Sequence, residues 1–470
     1  MVMNDVVFLS IAEAGAEIAA GKLSPVDLTK SVLDKIEATD AQLNSYVLVM
    51  TESALADAEA SAARARAGTL LGPLDGIPMG IKDLYDTAGY VTTNGTGAHR
   101  FRVPADDCTA VARLRAAGAV ILGKTNTHEL AMGGTTNNIH YGPTHNPWNL
   151  DRIPGGSSGG SGSALAAGQA LGALGTDTGG SIRGPASYCG ISGIKPTYGL
   201  SSRAGVGALS HTLDHTGPMA RTAYDCALML NALQGYDPLD LDSADHPTED
   251  FTAGIEGGVR GMTFAVIPSL LAIATPEVKA AFATSIATFE SLGARVVNIE
   301  PLAGIDDYRG LVQSIGAIET NDYNEAIVNQ DPPVIAAVIR ARIAMGKAVP
   351  AYLYSRMLDN RKMLERRMEG ALKENGIDAY LLPSTPMTAF PIDPDPNRDE
   401  TPGRMRGGIT SIFNVSRQPS MSIPNGFDSE GLPTGLLISG AQWADAKVLR
   451  IAHAFQQATD FHTKRPPLFS

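Results

Sequence analysis

The sequence predicts an α/β protein folded as one large domain, on three observations. Residues 107–117 read as a helix set between two short apolar runs, 76–85 (GIPMGIKDLY) and 119–125 (AVILGKT), the pattern of a βαβ unit with a parallel sheet. After about residue 255 the alternation resumes, with a strand over 263–267, a helix over 276–292 and a strand over 294–299. No internal repeat and no clean boundary divides the chain. Its 470 residues would ordinarily suggest two to three domains, yet one domain over 1–470 fits better.

Each element has a local reason. Ser24-Pro25 is a helix start, an N-cap serine followed by proline at the first helical position, and Leu28, Val32 and Ile36 supply the apolar stripe. Residues 51–68 are alanine-rich with Glu and Arg, a second and more solvated helix. Residues 133–220 hold the densest Gly/Ser usage and leave room for two short helical stretches, one of them over 164–174. Residues 310–373 are helical, 379–383 and 435–438 are strands, and 445–459 is a closing helix. Residues 391–402 (PIDPDPNRDETP) form a polar surface loop.

Composition excludes several classes. The chain is 44% hydrophobic and 18% charged, so it is neither disordered nor fibrous. A formal net charge of −12 disfavours nucleic acid and anionic membrane as partners. Cys108, Cys189 and Cys226 are odd in number and widely spaced, which argues against a disulfide framework or a zinc site and for a reducing compartment. The first 23 residues lack the charge pattern of a signal peptide, and the longest apolar stretch, 164–174, is too short to span a bilayer. The expectation is a cytoplasmic protein without metal or cofactor.

The chemistry concentrates in glycine and serine. Residues 155–163 (GGSSGGSGS) resemble a flexible linker, but they feed directly into apolar sequence and are followed by 175–183 (GTDTGGSIR). Such loops next to helices present backbone N–H groups to negative charge. No phosphate-binding fingerprint is present, which leaves an oxyanion hole. Three serine-hydrolase templates compete. Ser158 fits G-x-S-x-G, but a polar, proline-containing lead-in replaces the strand that a nucleophile elbow needs. Ser192 and Lys195 fit S-x-x-K, but Gly193 and Pro196 oppose the helix that motif requires. The third template uses Lys82, set in an apolar strand with Ile77, Met79, Ile81 and Leu84. Burial would lower its pKa toward neutrality and make it a base. The alternative is a salt bridge to Asp83 or Asp86, or exposure at a strand end.

Lys82 in GIPMGIKD, then PGGSSGGS at 154–161, GTDTGGSIR at 175–183 and GISGIKP at 190–196 resemble the amidase signature family. Lys82 lies 75 residues before Ser157, and Ser157 lies 24 before Ser181, as in that family. The resemblance spans roughly residues 20–465. It implies a single large domain with a mixed, twisted central sheet covered by helices on both faces. Residues 76–220 would form the catalytic core, with 310–410 shaping the substrate pocket. It also implies a triad of Ser181 as nucleophile, Ser157, preceded by a cis peptide, as bridging serine, and Lys82 as base. Backbone N–H groups of Thr178, Gly179, Gly180 and Ser181 would form the oxyanion hole, and Ala131, Met132, Gly133 and Gly134 would line the acyl side of the pocket. Asp177 and Arg183 flank the nucleophile turn and would hold it as a structural ion pair. His128 and His140 read as core or surface residues, and Tyr188 and Cys189 as packing.

Two departures bear on substrate. Where the glutaminase subunits of tRNA-dependent amidotransferases carry an acidic residue for the glutamine amine, this chain reads Gly407-Gly408-Ile409-Thr410. Gly184 stands where malonamidases carry a second arginine. The expectation is therefore a stand-alone amidase, monomer or homodimer, acting on neutral small-molecule amides. Bulky or aryl amides are included, with carbamates (urethanes) and esters as further substrates. A glutaminase-like amidotransferase subunit is the alternative, and a Ser158 esterase is another.

Overall fold

The computed structural model describes residues 6–304, 308–330, 334–398 and 408–469. Helices α1 (Ile11–Ala19) and α2 (Pro25–Leu43) open the chain, with Ser24 Oγ capping α2 by accepting from Val26 N. Then follow β1 (Tyr46–Val49), α3 (Thr51–Ala67), β2 (Pro78–Lys82), α4 (Thr109–Ala116), β3 (Val120–Thr125), α5 (Gly159–Ala166), β4 (Gly172–Asp177), α6 (Arg183–Cys189), β5 (Ser192–Lys195), β6 (His215–Ala220) and α7 (Ala223–Leu233). The second half holds β7 (Thr263–Val266), α8 (Pro276–Ser291), β8 (Arg295–Asn298), α9 (Tyr308–Val328), α10 (Ala337–Lys347), α11 (Ala351–Glu374), β9 (Ala379–Pro383), β10 (Ser420–Phe427), β11 (Pro433–Ser439) and α12 (Asp445–Ala458).

These strands make one eleven-stranded sheet in the order β1-β3-β2-β4-β6-β5-β10-β11-β9-β7-β8. Pairing is parallel along β3-β2-β4 and β9-β7-β8 and antiparallel elsewhere, so the sheet is mixed. Alternate residues serve opposite faces. Phe264, Val266, Ala379 and Leu381 join one core with α8 and α12, whereas Ala265, Tyr380 and Leu382 join a second core with α9 and α11. Helices therefore cover both faces, as expected. No helix among the described residues is long and apolar enough to cross a membrane.

The glycine-rich region differs from expectation. The helix begins within the Gly/Ser run, at Gly159, and ends at Ala166, and part of the expected 164–174 helix is strand β4. Gly168 adopts a φ of +76°, which stops the helix. Because β4 is buried along its whole length between β2 and β6, its sequence carries no period-2 alternation. Strands β1, β5, β6 and β10 are further findings beyond the sequence reading.

Candidate active site

Lys82 ends β2 with its side chain fully buried between two parallel neighbours. Its Nζ stands 2.7 Å from Ser157 Oγ, 2.8 Å from Ser158 Oγ and 2.7 Å from Thr176 Oγ1. Burial brings its pKa down from 10.5 to about 7, against the pull of Asp177 and Asp214. Ser158 Oγ spends its own proton on Thr176 O at 3.3 Å, so it faces the amine as an acceptor. Ser157 Oγ is then a hydroxyl able to donate to a neutral Nζ.

Ser157 follows a cis Gly156–Ser157 peptide. Its carbonyl accepts from Thr127 Oγ1 at 3.0 Å, His128 N at 3.1 Å and Thr136 Oγ1 at 3.3 Å. A Cβ on Gly156 would meet Thr135 N at 2.6 Å and the Gly134 carbonyl carbon at 2.7 Å, so the backbones approach as closely as only glycine allows.

Ser181 lies in the turn between β4 and α6. Asp177 organises that turn: Oδ1 accepts from Gly180 N at 2.8 Å and Oδ2 from Ile182 N at 3.1 Å. Arg183, fully buried, donates to the same carboxylate through Nη2 at 2.8 Å and Nε at 2.9 Å. Its remaining donors reach Thr410 O and Asn414 Oδ1. Burial opposes ionisation of Asp177, but Arg183 holds its carboxyl well below the usual range. Asp177 and Arg183 thus pair as expected. Gly180 needs correcting as an oxyanion donor, because its N–H is committed to Asp177. The N–H groups of Thr178, Gly179 and Ser181 have no acceptor among the described residues.

Ser181 opens on a cavity of ≈ 570 Å³, whose walls include Ala131, Met132, Gly133 and Gly134 together with Val312 and Gly316 of α9 and Val338 and Arg342 of α10. Hydrogen bonds link Lys82 to Ser157, but Ser181 Oγ makes none among the described residues. Such links often close only around substrate. Ser158 is fully buried and preceded by no strand, so it lacks the exposed setting of a nucleophile elbow. Ser192 and Lys195 share strand β5, and Lys195 Nζ donates to Gln418 O, so no Ser–Lys helix pair forms. No group of three or more His, Cys, Asp or Glu gathers as metal ligands among the described residues.

Residues 27–449 match the Amidase family model. The chain belongs to the amidase signature family. Among its relatives, the A subunit of glutamyl-tRNA(Gln) amidotransferase from Chloroflexus aggregans is 38% identical over 99% of both chains. The protein of the same name from Roseiflexus castenholzii is 38% identical over 97% of each. Among solved structures, a bacterial aryl acylamidase superposes with a TM-score of 0.90 at 28% identity, covering 98% of each chain. The corresponding amidotransferase subunit of Thermotoga maritima superposes at 0.81 with 32% identity, covering 96% of this chain and 95% of that one. The whole-length similarity to amidotransferase subunits overturns the expectation of a stand-alone amidase for neutral, aryl or carbamate substrates. The neutral pocket inferred from Gly184 needs correcting too. Gly184 does leave open space, yet Arg342 brings a guanidinium to the same cavity. Gly407, the other residue behind that expectation, lies outside the described residues.

The remaining expectations are simply placed. His140 Nε2 sits 2.7 Å from Glu129 Oε1, and His128 borders a smaller adjoining cavity. Tyr188 lines the main cavity as well as packing, and Cys189 Sγ bonds Pro154 O. The sequence reading gave no role to Thr176, Asp214, Arg342, Thr410 or Asn414. Only Thr176, a polar residue inside the GTDTGGSIR motif, offered a local signal.

Proposed function

We propose that this chain is the amide-cleaving subunit of a glutamine-dependent amidotransferase, releasing ammonia from a glutamine-type carboxamide. The whole-length similarity to amidotransferase subunits supports this reading, and Arg342 is the observation that carries it. A cation on the wall of the Ser181 cavity suits a substrate with its own carboxylate, which a plain neutral amide lacks. Arg342 Nη1 donates to Met132 O at 2.7 Å, so its guanidinium is oriented by the loop that lines the pocket.

The chemistry follows from the site. Neutral Lys82 takes the Ser157 proton as Ser157 takes that of Ser181, and Ser181 Oγ bonds to the amide carbon. The carbonyl oxygen becomes an oxyanion held by N–H groups of Thr178, Gly179 and Ser181, each typically worth about 3–4 kcal/mol. Lys82 returns the proton through Ser157 to the nitrogen, the C–N bond breaks and ammonia leaves. Water then attacks the Ser181 ester by the reverse route and frees the carboxylate.

Ammonia release from glutamine, by the chain alone and with any chains that co-purify, tests the proposal. Release that Ser181→Ala abolishes is the expected result. Turnover of neutral amides with none of glutamine in either state would overturn it.

A further inference from the structure

Asp214 precedes β6 and touches the oxyanion turn at Thr178, whereas Asp177 holds Gly180 and Ile182. Its Oδ1 accepts the Thr178 hydroxyl at 2.5 Å, and its Oδ2 accepts Leu209 N at 2.8 Å and Ser210 N at 2.9 Å. Burial pushes the Asp214 carboxyl up, and the three donors, with no acceptor among them, work against that rise and favour the carboxylate. Leu209 lines the substrate cavity. Ser210 Oγ donates to Glu319, a buried carboxylate of α9 that also takes Thr212 Oγ1 at 2.8 Å and Tyr354 OH at 2.6 Å. A continuous set of hydrogen bonds thus joins the oxyanion turn to the helix that walls the pocket.

We propose that Asp214 is a positioning residue for this reaction, fixing the Thr178 corner of the oxyanion hole through the Thr178 hydroxyl and setting the charge that the base Lys82 experiences. The proposal rests on the reading of Ser181 and Lys82 as nucleophile and base. Lys82 Nζ contacts Thr176 Oγ1 at 2.7 Å, and Asp214 takes the hydroxyl of Thr178 two residues further on, so Asp214 and Asp177 both lie where a carboxylate favours the Lys82 ammonium. Asp177 is matched at contact distance by Arg183, whereas the cation acting on Asp214 is Arg203, itself bound to Asp240 at 2.8 Å and Asp242 at 2.7 Å. The other titratable groups on this segment are His211, 3.4 Å from Glu319, and the buried His215, whose Nδ1 lies 2.7 Å from Leu213 O and 3.3 Å from Asp177 O and whose burial holds its pKa well below the ordinary value. Asp214 is therefore the less compensated of the two anions. Removing it leaves the Lys82 ammonium less stabilised, so the base is freed at lower pH.

Two variants separate the roles. Asp214→Asn removes charge but keeps shape: its oxygen can face the Leu209 and Ser210 N–H groups while its amide donates to Thr178 Oγ1. Thr178→Val keeps charge and removes the hydroxyl. The readout is the rate of phosphorylation by an alkyl fluorophosphonate across pH. Here a Ser181 Oγ–P bond forms, the P–F bond breaks, fluoride leaves, and the Ser181 proton passes through Ser157 to Lys82. This rate needs no assumption about the natural substrate. Thermal unfolding confirms that each variant is folded.

Asp214→Asn is expected to move the acid limb of the labelling profile down by roughly 0.5 in pH. Thr178→Val should leave that limb in place and lower the plateau roughly tenfold. If Ser181→Ala abolishes labelling while Asp214→Asn keeps the wild-type limb and Thr178→Val the wild-type plateau, the Asp214 proposal is overturned and the triad stands. Labelling that survives Ser181→Ala overturns the triad reading and this proposal with it. Should Asp214→Asn fail to fold, the Thr178→Val plateau decides.

Discussion

Lys82 is an amine closed off from the protein surface, with three hydroxyl oxygens at hydrogen-bond distance. Its pKa near 7 is first a matter of burial, and that gives two expectations, one for rate and one for stability. Only the neutral amine can accept a proton, so kcat/KM should rise with pH through about 7 and plateau above it. A profile flat from pH 5.5 to 8.5 would remove Lys82 from the base role. Stability moves in the same direction. The folded pKa lies below the unfolded value of 10.5, so the unfolded chain holds the extra proton between those limits and Lys82 destabilises the fold most at or below pH 7. The ceiling on that cost is about 5 kcal/mol, partly offset by the three hydrogen bonds. Lys82→Met should therefore be inactive, and its denaturant midpoint relative to wild type should be highest near pH 7 and fall as pH climbs toward 10. Lys82 and the two triad serines were legible in the sequence because each sits in a compact local motif. Arg342 and Asn414 were not, because they reach the site from segments more than 150 residues from Ser181 in sequence and carry no motif of their own.

The turn before α5 brings Ser157 to Lys82, the turn before α6 holds Ser181 next to it, with Ser158 N donating to Ser181 O at 3.3 Å, and their backbones leave no slack. Gly156→Ala would drive a methyl into the backbone of residues 134 and 135. It should cost about 2 kcal/mol in thermal or chemical unfolding and cut turnover at least as severely as the fold loss explains. Unchanged stability and activity would show that this approach is looser than its geometry. The misread 164–174 segment shows what hides such elements. A strand buried on both faces and a glycine-stopped helix both read as uninterrupted apolar sequence, and only the neighbours β2 and β6 decide between them.

The eleven-stranded sheet holds residues from both halves of the chain around one cavity. The α/β class and most strands and helices were legible from periodicity and caps. The strand order was not, since antiparallel insertions such as β6 and β10 pair with strands far away in sequence. Substrate choice belongs to this scale, because α10 carries Arg342 to a cavity lined also by the first half of the chain, by α9 and by the segments around Thr385 and Thr410. Arg342→Met should raise KM for glutamine at least tenfold and change kcat/KM for an uncharged primary amide far less, as steady-state ammonia assays would show. An equal loss on both substrates would assign Arg342 to holding the 131–134 loop instead.

Acid-quenched turnover of glutamine, followed by mass spectrometry of the digested protein, addresses the chemistry at its covalent step. A γ-glutamyl ester on Ser181 that disappears in Lys82→Met is the predicted result, and an ester on Ser158, or none during active turnover, would contradict it.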